Sequence, residues 1–180
     1  MNERQTILLA DDSADDLLFM RMAFKKAGGV FTLRDVSNGE EVIAYLKGDG
    51  PYHDRQKFPL PIVLLMDLNM PKKNGLDVLA WVRAQPLLKR LAVIILSASM
   101  RSEDVDSAFD VGATSFLVKP SSLETLAAMA RSLGDWIQIN HFPSLSNGRI
   151  EMDLILTDPS LKIGEICEDA YIANANVGSP

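Results

Sequence analysis

Ile62-Val63-Leu64-Leu65-Met66-Asp67-Leu68-Asn69-Met70-Pro71 runs five apolar residues straight into a single carboxylate. Pro59 and Pro61 precede the run and Pro71 follows it. A short apolar run without polar alternation, bounded by proline, reads as a strand buried on both faces. The backbone leaves the core where the run stops, which puts Asp67 at the C-terminal edge of the strand. In open α/β sheets that edge is where ligands bind. Asp67 is therefore either an incidental surface acid or a reactive group, and the other strand ends decide between the two.

Working outward, Thr6-Ile7-Leu8-Leu9-Ala10 is a second buried-strand candidate, stopped by Asp11-Asp12. Ser13 caps the helix that follows, with Asp16 in the capping-box position. Leu17, Met20, Met22, Phe24 and Ala27 give this helix an apolar side, and Gly28-Gly29 end it. Val30 to Val36 reads as a strand, Asn38-Gly39 as a turn and Glu40 to Lys47 as a short helix. Residues 48–61, rich in Gly, Pro and charge, read as an extended surface loop, and His53 within it as a surface histidine.

After Asp67, Lys72-Lys73-Asn74-Gly75 forms a solvated turn. Leu76, Val78, Leu79, Trp81 and Val82 line a helix that ends near Gln85-Pro86. Ala92 to Leu96 is a buried strand ending at Ser97, and Glu103 to Val111 a helix ended by Gly112. Ser115 to Val118 is a short strand ending at Lys119-Pro120. Ser121 and Glu124 form a second capping box before a helix carrying Leu123, Leu126, Ala127, Met129, Ala130, Leu133, Trp136 and Ile137. Strand and helix alternate five times. Apolar strands joined by helical crossovers imply α/β architecture: a five-stranded parallel, doubly wound sheet of flavodoxin-like order in three α/β/α layers.

Residues 5–140 carry this rhythm, and residues 141–180 do not. The latter form a C-terminal extension, either partly disordered or an arm for a partner or a dimer. Ile150 to Leu156 alternates in part and reads as a strand or a docking segment. The extension is too short and too acidic for a DNA-binding output domain. The chain's 180 residues and 47% apolar content suit one soluble domain with a real core. No apolar run approaches the roughly 18 residues that span a bilayer, so no membrane association is expected. The N-terminus lacks the pattern of a secretory signal. The lone Cys167 cannot pair internally, which fits a cytoplasmic location. A formal charge of −6 argues against nucleic acid as a partner.

Parallel strands put their C-terminal ends on one side, so Asp11-Asp12, Asp67, Ser97 and Lys119 can converge. Clustered carboxylates repel unless a cation sits among them. All-oxygen ligation suits a hard divalent ion such as Mg²⁺. A lysine and a hydroxyl beside such an ion are the groups that hold a phosphoryl, and a carboxylate can form an aspartyl-phosphate.

On Asp11-Asp12, Asp67-Leu68-Asn69-Met70-Pro71 with Gly75, Ser97-Ala98 and Phe116-Leu117-Val118-Lys119-Pro120, the chain resembles the receiver domain of two-component response regulators over roughly residues 5 to 138. The resemblance implies that Asp67 is the phosphoacceptor. It implies that Asp11, Asp12, Asp67 and the Asn69 backbone carbonyl hold Mg²⁺, that Lys119 binds the phosphoryl, and that Ser97 and Phe116 are the switch residues. It also implies a cis Lys119-Pro120 peptide. The insertion at 48–61 and the segment around Asn69 to Gly75 are similar to stand-alone regulators that work with bacterial phytochrome histidine kinases. Expected partners are thus a sensor histidine kinase, of phytochrome type by that similarity, and an unidentified downstream protein, with a homodimer as an open alternative. Two other readings compete: an interaction module that is never phosphorylated, and a phosphatase working through an aspartyl-phosphate. The first would be favoured by loss of an acid or of the lysine, and all are present. The second would want an acid where Asn69 stands, so a turnover enzyme is not expected. A flavin carrier lacks its phosphate loop after the first strand.

Overall fold

The structure is a computed structural model that describes residues 5–28, 31–99, 101–143 and 145. In chain order the elements are β1 (Thr6–Ala10), α1 (Ala14–Ala27), β2 (Thr32–Val36), α2 (Gly39–Lys47), a single 3₁₀ turn (Gly50–Tyr52), β3 (Val63–Asp67), α3 (Gly75–Ala84), β4 (Ala92–Ser97), α4 (Ser102–Val111), β5 (Ser115–Val118) and α5 (Leu123–Ile139). The five strands are all parallel and lie in the order β2-β1-β3-β4-β5. This is the flavodoxin-like, doubly wound sheet.

Successive side chains on a strand point to opposite faces, and the two cores divide accordingly. Leu8, Leu64, Met66, Val93 and Ile95 pack with Val42, Tyr45, Leu46, Val78, Leu79, Val82 and Ala108, so α2, α3 and α4 cover one face. Ile7, Leu9, Val63, Leu65, Ile94 and Leu96 pack with Leu17, Met20, Phe24, Leu126, Ala130, Leu133 and Ile137, so α1 and α5 cover the other. Every residue of β1, β3 and β4 is buried, while the edge strands β2 and β5 are mostly half-exposed. The absence of polar alternation in the three central strands therefore has the cause inferred for it: both faces are covered.

Several local expectations change. Met22 is exposed on α1 and Ala23 is buried instead. At about 100° per residue Leu17, Met20, Phe24 and Ala27 share a stripe, and Met22 falls on the far side. Asn38 is the N-cap of α2 rather than part of a free turn. Its Oδ1 accepts the Glu41 N–H at 3.0 Å, and Glu41 reaches back to the Ser37 N–H at 2.9 Å. At the start of α5 the cap is Ser122, not Ser121, and its Oγ accepts the Thr125 N–H at 3.2 Å. With Leu123 as the first helical residue, Ser121 stands one position too early. Beyond residue 140, Phe142 packs edge-on against Trp136 at 5.4 Å, so packing on α5 continues past the expected boundary. The remaining expectations for the C-terminal extension, with Cys167, fall on 146–180, outside the described residues.

Residues 48–61 form the expected surface loop, broken by the 3₁₀ turn Gly50–Tyr52, and the loop folds back on α2. The Arg55 guanidinium donates to the carbonyls of Tyr45, Leu46 and Phe58 at 2.7–3.2 Å, closing the C-terminal end of α2. Such carbonyls lack partners within the helix. The rings of Tyr45, Tyr52 and Phe58 cluster with centroids 5.1–6.0 Å apart, and Arg34 lies over Phe58 at 5.3 Å. The Tyr45 hydroxyl donates to the Pro59 carbonyl at 3.0 Å. His53 sits exposed, its ring Nδ1 2.9 Å from the Gly50 carbonyl, as a surface histidine.

Burial pushes the Tyr45 phenol up to about 12, against the opposing charges of Arg34 and Arg55. Folding thus holds the phenolic proton more tightly than the unfolded chain does. This contribution to stability is complete below pH 10 and is lost as pH rises toward about 12. Tyr45→Phe should cost about 1 kcal/mol by removing the bond to Pro59. It should also narrow the stability gap to wild type progressively above pH 10. Urea unfolding of both proteins at pH values on either side of 10 measures this, and a constant gap would refute it.

Candidate functional site

The parallel register places the strand ends side by side: Ala10 pairs with Met66, Asp67 with Leu96 and Ser97 with Val118. The residues at or just past these ends therefore meet on one edge of the sheet. Asp11 and Asp67 are each 7% exposed, Ser97 is fully buried, and Asp12 faces solvent. Asp11, Asp12 and Asp67 each bring a carboxylate oxygen within 4.8 Å of the others. The Lys119 N–H donates to the Ser97 carbonyl at 2.9 Å, which holds the start of the β5–α5 loop against β4. From there the Lys119 ammonium reaches Asp11 Oδ2 at 2.6 Å, Asp16 Oδ2 at 2.9 Å and Asp67 Oδ1 at 3.2 Å. The Lys119-Pro120 peptide is trans, contrary to what the resemblance implied, and no peptide among the described residues is cis.

Local backbone aims the acids. The Ser13 N–H donates to Asp11 Oδ1 at 3.0 Å, and the Asn69 N–H donates to Asp67 Oδ2 at 3.2 Å. Asn69 itself lies exposed in the β3–α3 loop. That loop closes through the Gly75 N–H, which donates to the Leu68 carbonyl at 2.8 Å. A Cβ on Gly75 would stand 2.7 Å from the Asp67 carbonyl oxygen, so only glycine lets α3 begin this close to Asp67. Lys72 adopts a left-handed conformation at φ 67° within the same loop, and both Lys72 and Lys73 are solvated.

Two further expected residues take partners of their own. The Ser97 Oγ accepts the Ser99 N–H at 3.0 Å in a local turn. Phe116 is half-buried against the α2–α4 core. One residue was missed. Asp16 was assigned to a capping box, but only half of that box forms. Ser13 Oγ accepts the Asp16 N–H at 3.2 Å, whereas the Asp16 carboxylate turns to Lys119. Its signal in the sequence, an acid three residues after a capping serine, points to the cap and gives no hint of the long-range partner.

Burial pushes the Asp67 carboxyl above the usual range. The Lys119 charge opposes this and the Asp11 carboxylate adds to it. For Lys119, burial alone would lower the ammonium's pKa, but hydrogen bonds to Asp11 and Asp16 and the Asp67 charge carry it upward, so the group stays protonated. Three carboxylates against one lysine leave the cluster short of positive charge. The donor set is all oxygen and carries excess negative charge, which fits a hard divalent cation.

The chain matches the response regulator receiver domain model over residues 7–131. It is 30% identical over 144 residues to response regulator Rcp1 of Synechocystis, covering 79% of this chain and 96% of that protein. Among solved structures it is similar to response regulator RPA3017 in red light signaling of R. palustris. That match has 33% identity and a TM-score of 0.74, covering 78% of this chain and 99% of the other. The phosphorylated cyanobacterial phytochrome response regulator RcpA matches at 29% identity with a TM-score of 0.72, covering 79% and 100%. The Mn²⁺-bound form of Rcp1 matches at 30% identity with a TM-score of 0.69, covering 78% and 99%.

If Lys119 neutralises the cluster, Lys119→Ala should lower metal-free stability by about 1–3 kcal/mol, because it leaves buried carboxylates without their cation. Added Mg²⁺ should then raise the variant's melting temperature more than the wild type's. Equal melting shifts for the two proteins would show that lysine and metal do not share the same carboxylates.

Proposed function

Because this chain belongs to the response regulator receiver family, we propose that Asp67 accepts a phosphoryl group from a sensor histidine kinase and that the protein signals through a resulting change of surface. The observation that carries this is the meeting of Asp67 with Asp11, Asp12 and Lys119 at one sheet edge. An Asp67 carboxylate oxygen attacks the phosphorus of a phosphohistidine. The P–N bond breaks, and the imidazole nitrogen keeps the electron pair and takes up a proton. Asp11, Asp12, Asp67 and the Asn69 carbonyl would hold Mg²⁺, whose charge would offset that of the transferring phosphoryl. Lys119 supplies a positive charge 3.2 Å from Asp67 Oδ1.

Ser97 would then exchange its Ser99 contact for a phosphoryl oxygen, and Phe116, having no hydroxyl to anchor it, would turn inward. The altered face comprises α4, β5 and α5, where Phe109 and Val118 already lie exposed. That face would meet a downstream protein or a second copy of the chain. The similarity to Rcp1, RcpA and the red-light regulator supports a phytochrome-type kinase as the donor. No described helix is long and apolar enough to cross a membrane, and the cytoplasm is the compartment proposed for this exchange. Asn69 gives no acid to protonate a leaving group, so the reaction serves as a switch that loads and clears itself with Mg²⁺ rather than as a turnover enzyme.

Intact-mass measurement after treatment with acetyl phosphate and Mg²⁺ tests the assignment. Wild type should gain one phosphoryl group and Asp67→Asn none. Equal labelling of the two would overturn the proposed phosphoacceptor.

A further inference from the structure

Lys119 makes one contact that the phosphoacceptor reading does not use. An ammonium has three N–H donors, and here three carboxylates, those of Asp11, Asp16 and Asp67, surround it within 2.6–3.2 Å. Asp11 and Asp67 belong to the cation-binding cluster, and Asp16 does not. Asp16 stands on the first turn of α1 with its side chain 42% exposed, against 10% for Asp11 and 9% for Asp67. Capping does not hold it there. The Ser13 N–H, which a capping-box acid would take, is already bonded to Asp11 Oδ1. The Asp16 carboxylate is thus committed to the lysine.

The ammonium hydrogen-bonds Asp11 and Asp16 and pairs with Asp67 at 3.2 Å, so a phosphoryl oxygen arriving at Lys119 competes with these partners. Asp11 and Asp67 are buried, so in the metal-free site leaving either of them strands a charge in the core. Asp16 is bathed by water, which replaces the lysine at little cost. Resting on the reading of Asp67 as phosphoacceptor, we infer that Asp16 is a positioning residue: it draws the Lys119 ammonium partly off the metal-binding carboxylates in the resting state and yields it when a phosphoryl group arrives. Without Asp16 two things follow. Lys119 settles on Asp11 and Asp67 and competes with the divalent cation for them. One N–H donor also stands free for the phosphoryl group.

The full chain carrying Asp16→Asn tests this with two probes. Titration calorimetry with Mg²⁺ alone should show affinity weakened on the order of three- to tenfold, the range expected of a partly exposed ionic contact. At saturating Mg²⁺, beryllofluoride should bind more tightly than to wild type by a similar factor. Asp16→Glu should restore both values toward wild type. Asp15→Asn removes an equal charge from the same exposed turn, outside the Lys119 contacts, and should leave both within twofold. Opposite movement of the two affinities is the signature, since general damage to the site weakens both. Movement in the same direction, no change, or an equal response in Asp15→Asn overturns the role of Asp16. Failure of wild type to bind beryllofluoride at all would instead count against Asp67 as phosphoacceptor, while the Mg²⁺ titration would still report on Asp16.

Discussion

The Lys119 ammonium within 2.6–3.2 Å of three carboxylates is the contact on which the functional edge of this protein depends. Burial lifts the Asp67 pKa, the Lys119 charge opposes this, and repulsion from the Asp11 carboxylate adds to it. One cation does not neutralise three acids. The site is therefore stable enough to form yet retains negative charge, the condition under which a small divalent ion binds firmly. Without Lys119 the buried acids would be left uncompensated.

That contact requires the sheet. Asp11 and Lys119 are far apart in sequence, and they meet because β1 and β5 run parallel with β3 and β4 between them. The three central strands are wholly buried, so their ends are fixed by core packing rather than by loop chemistry. Loops make the final adjustments: the Ser13 and Asn69 N–H groups orient Asp11 and Asp67, and Gly75 lets α3 start against Asp67. The site is thus rigid where the acids sit. It is adjustable where the Ser97 hydroxyl bonds its own turn and where Asp16 meets water.

Residues 48–61 show what composition leaves out. Their Gly, Pro and charged residues mark the surface loop, but not that Arg55, Tyr52 and Phe58 fold back on α2. Arg55 reads as a surface charge in sequence because nothing local marks it as the partner of carbonyls nine and ten residues earlier. Tyr52 and Phe58 are too sparsely spaced to show a period. Helix ends were read more faithfully where one short-range bond decides them, as at Ser13, and missed by one residue where two serines compete, as at Ser121 and Ser122.

By itself the sequence determined the five alternations of strand and helix, the double burial of β1, β3 and β4, and the acids, hydroxyl and lysine at the strand ends. These are properties of short windows, set by hydrophobic period and by the residue at which an apolar run stops. Only the tertiary structure decided which partners those end residues take. Asp16 leaves its cap for a lysine a hundred residues away, Ser97 turns to Ser99, and Lys119 is shared among three acids rather than reserved for one. The physical reason is that a charged side chain chooses its partner by distance, burial and competition among neighbours. Those quantities exist only once the sheet has brought its strand ends together.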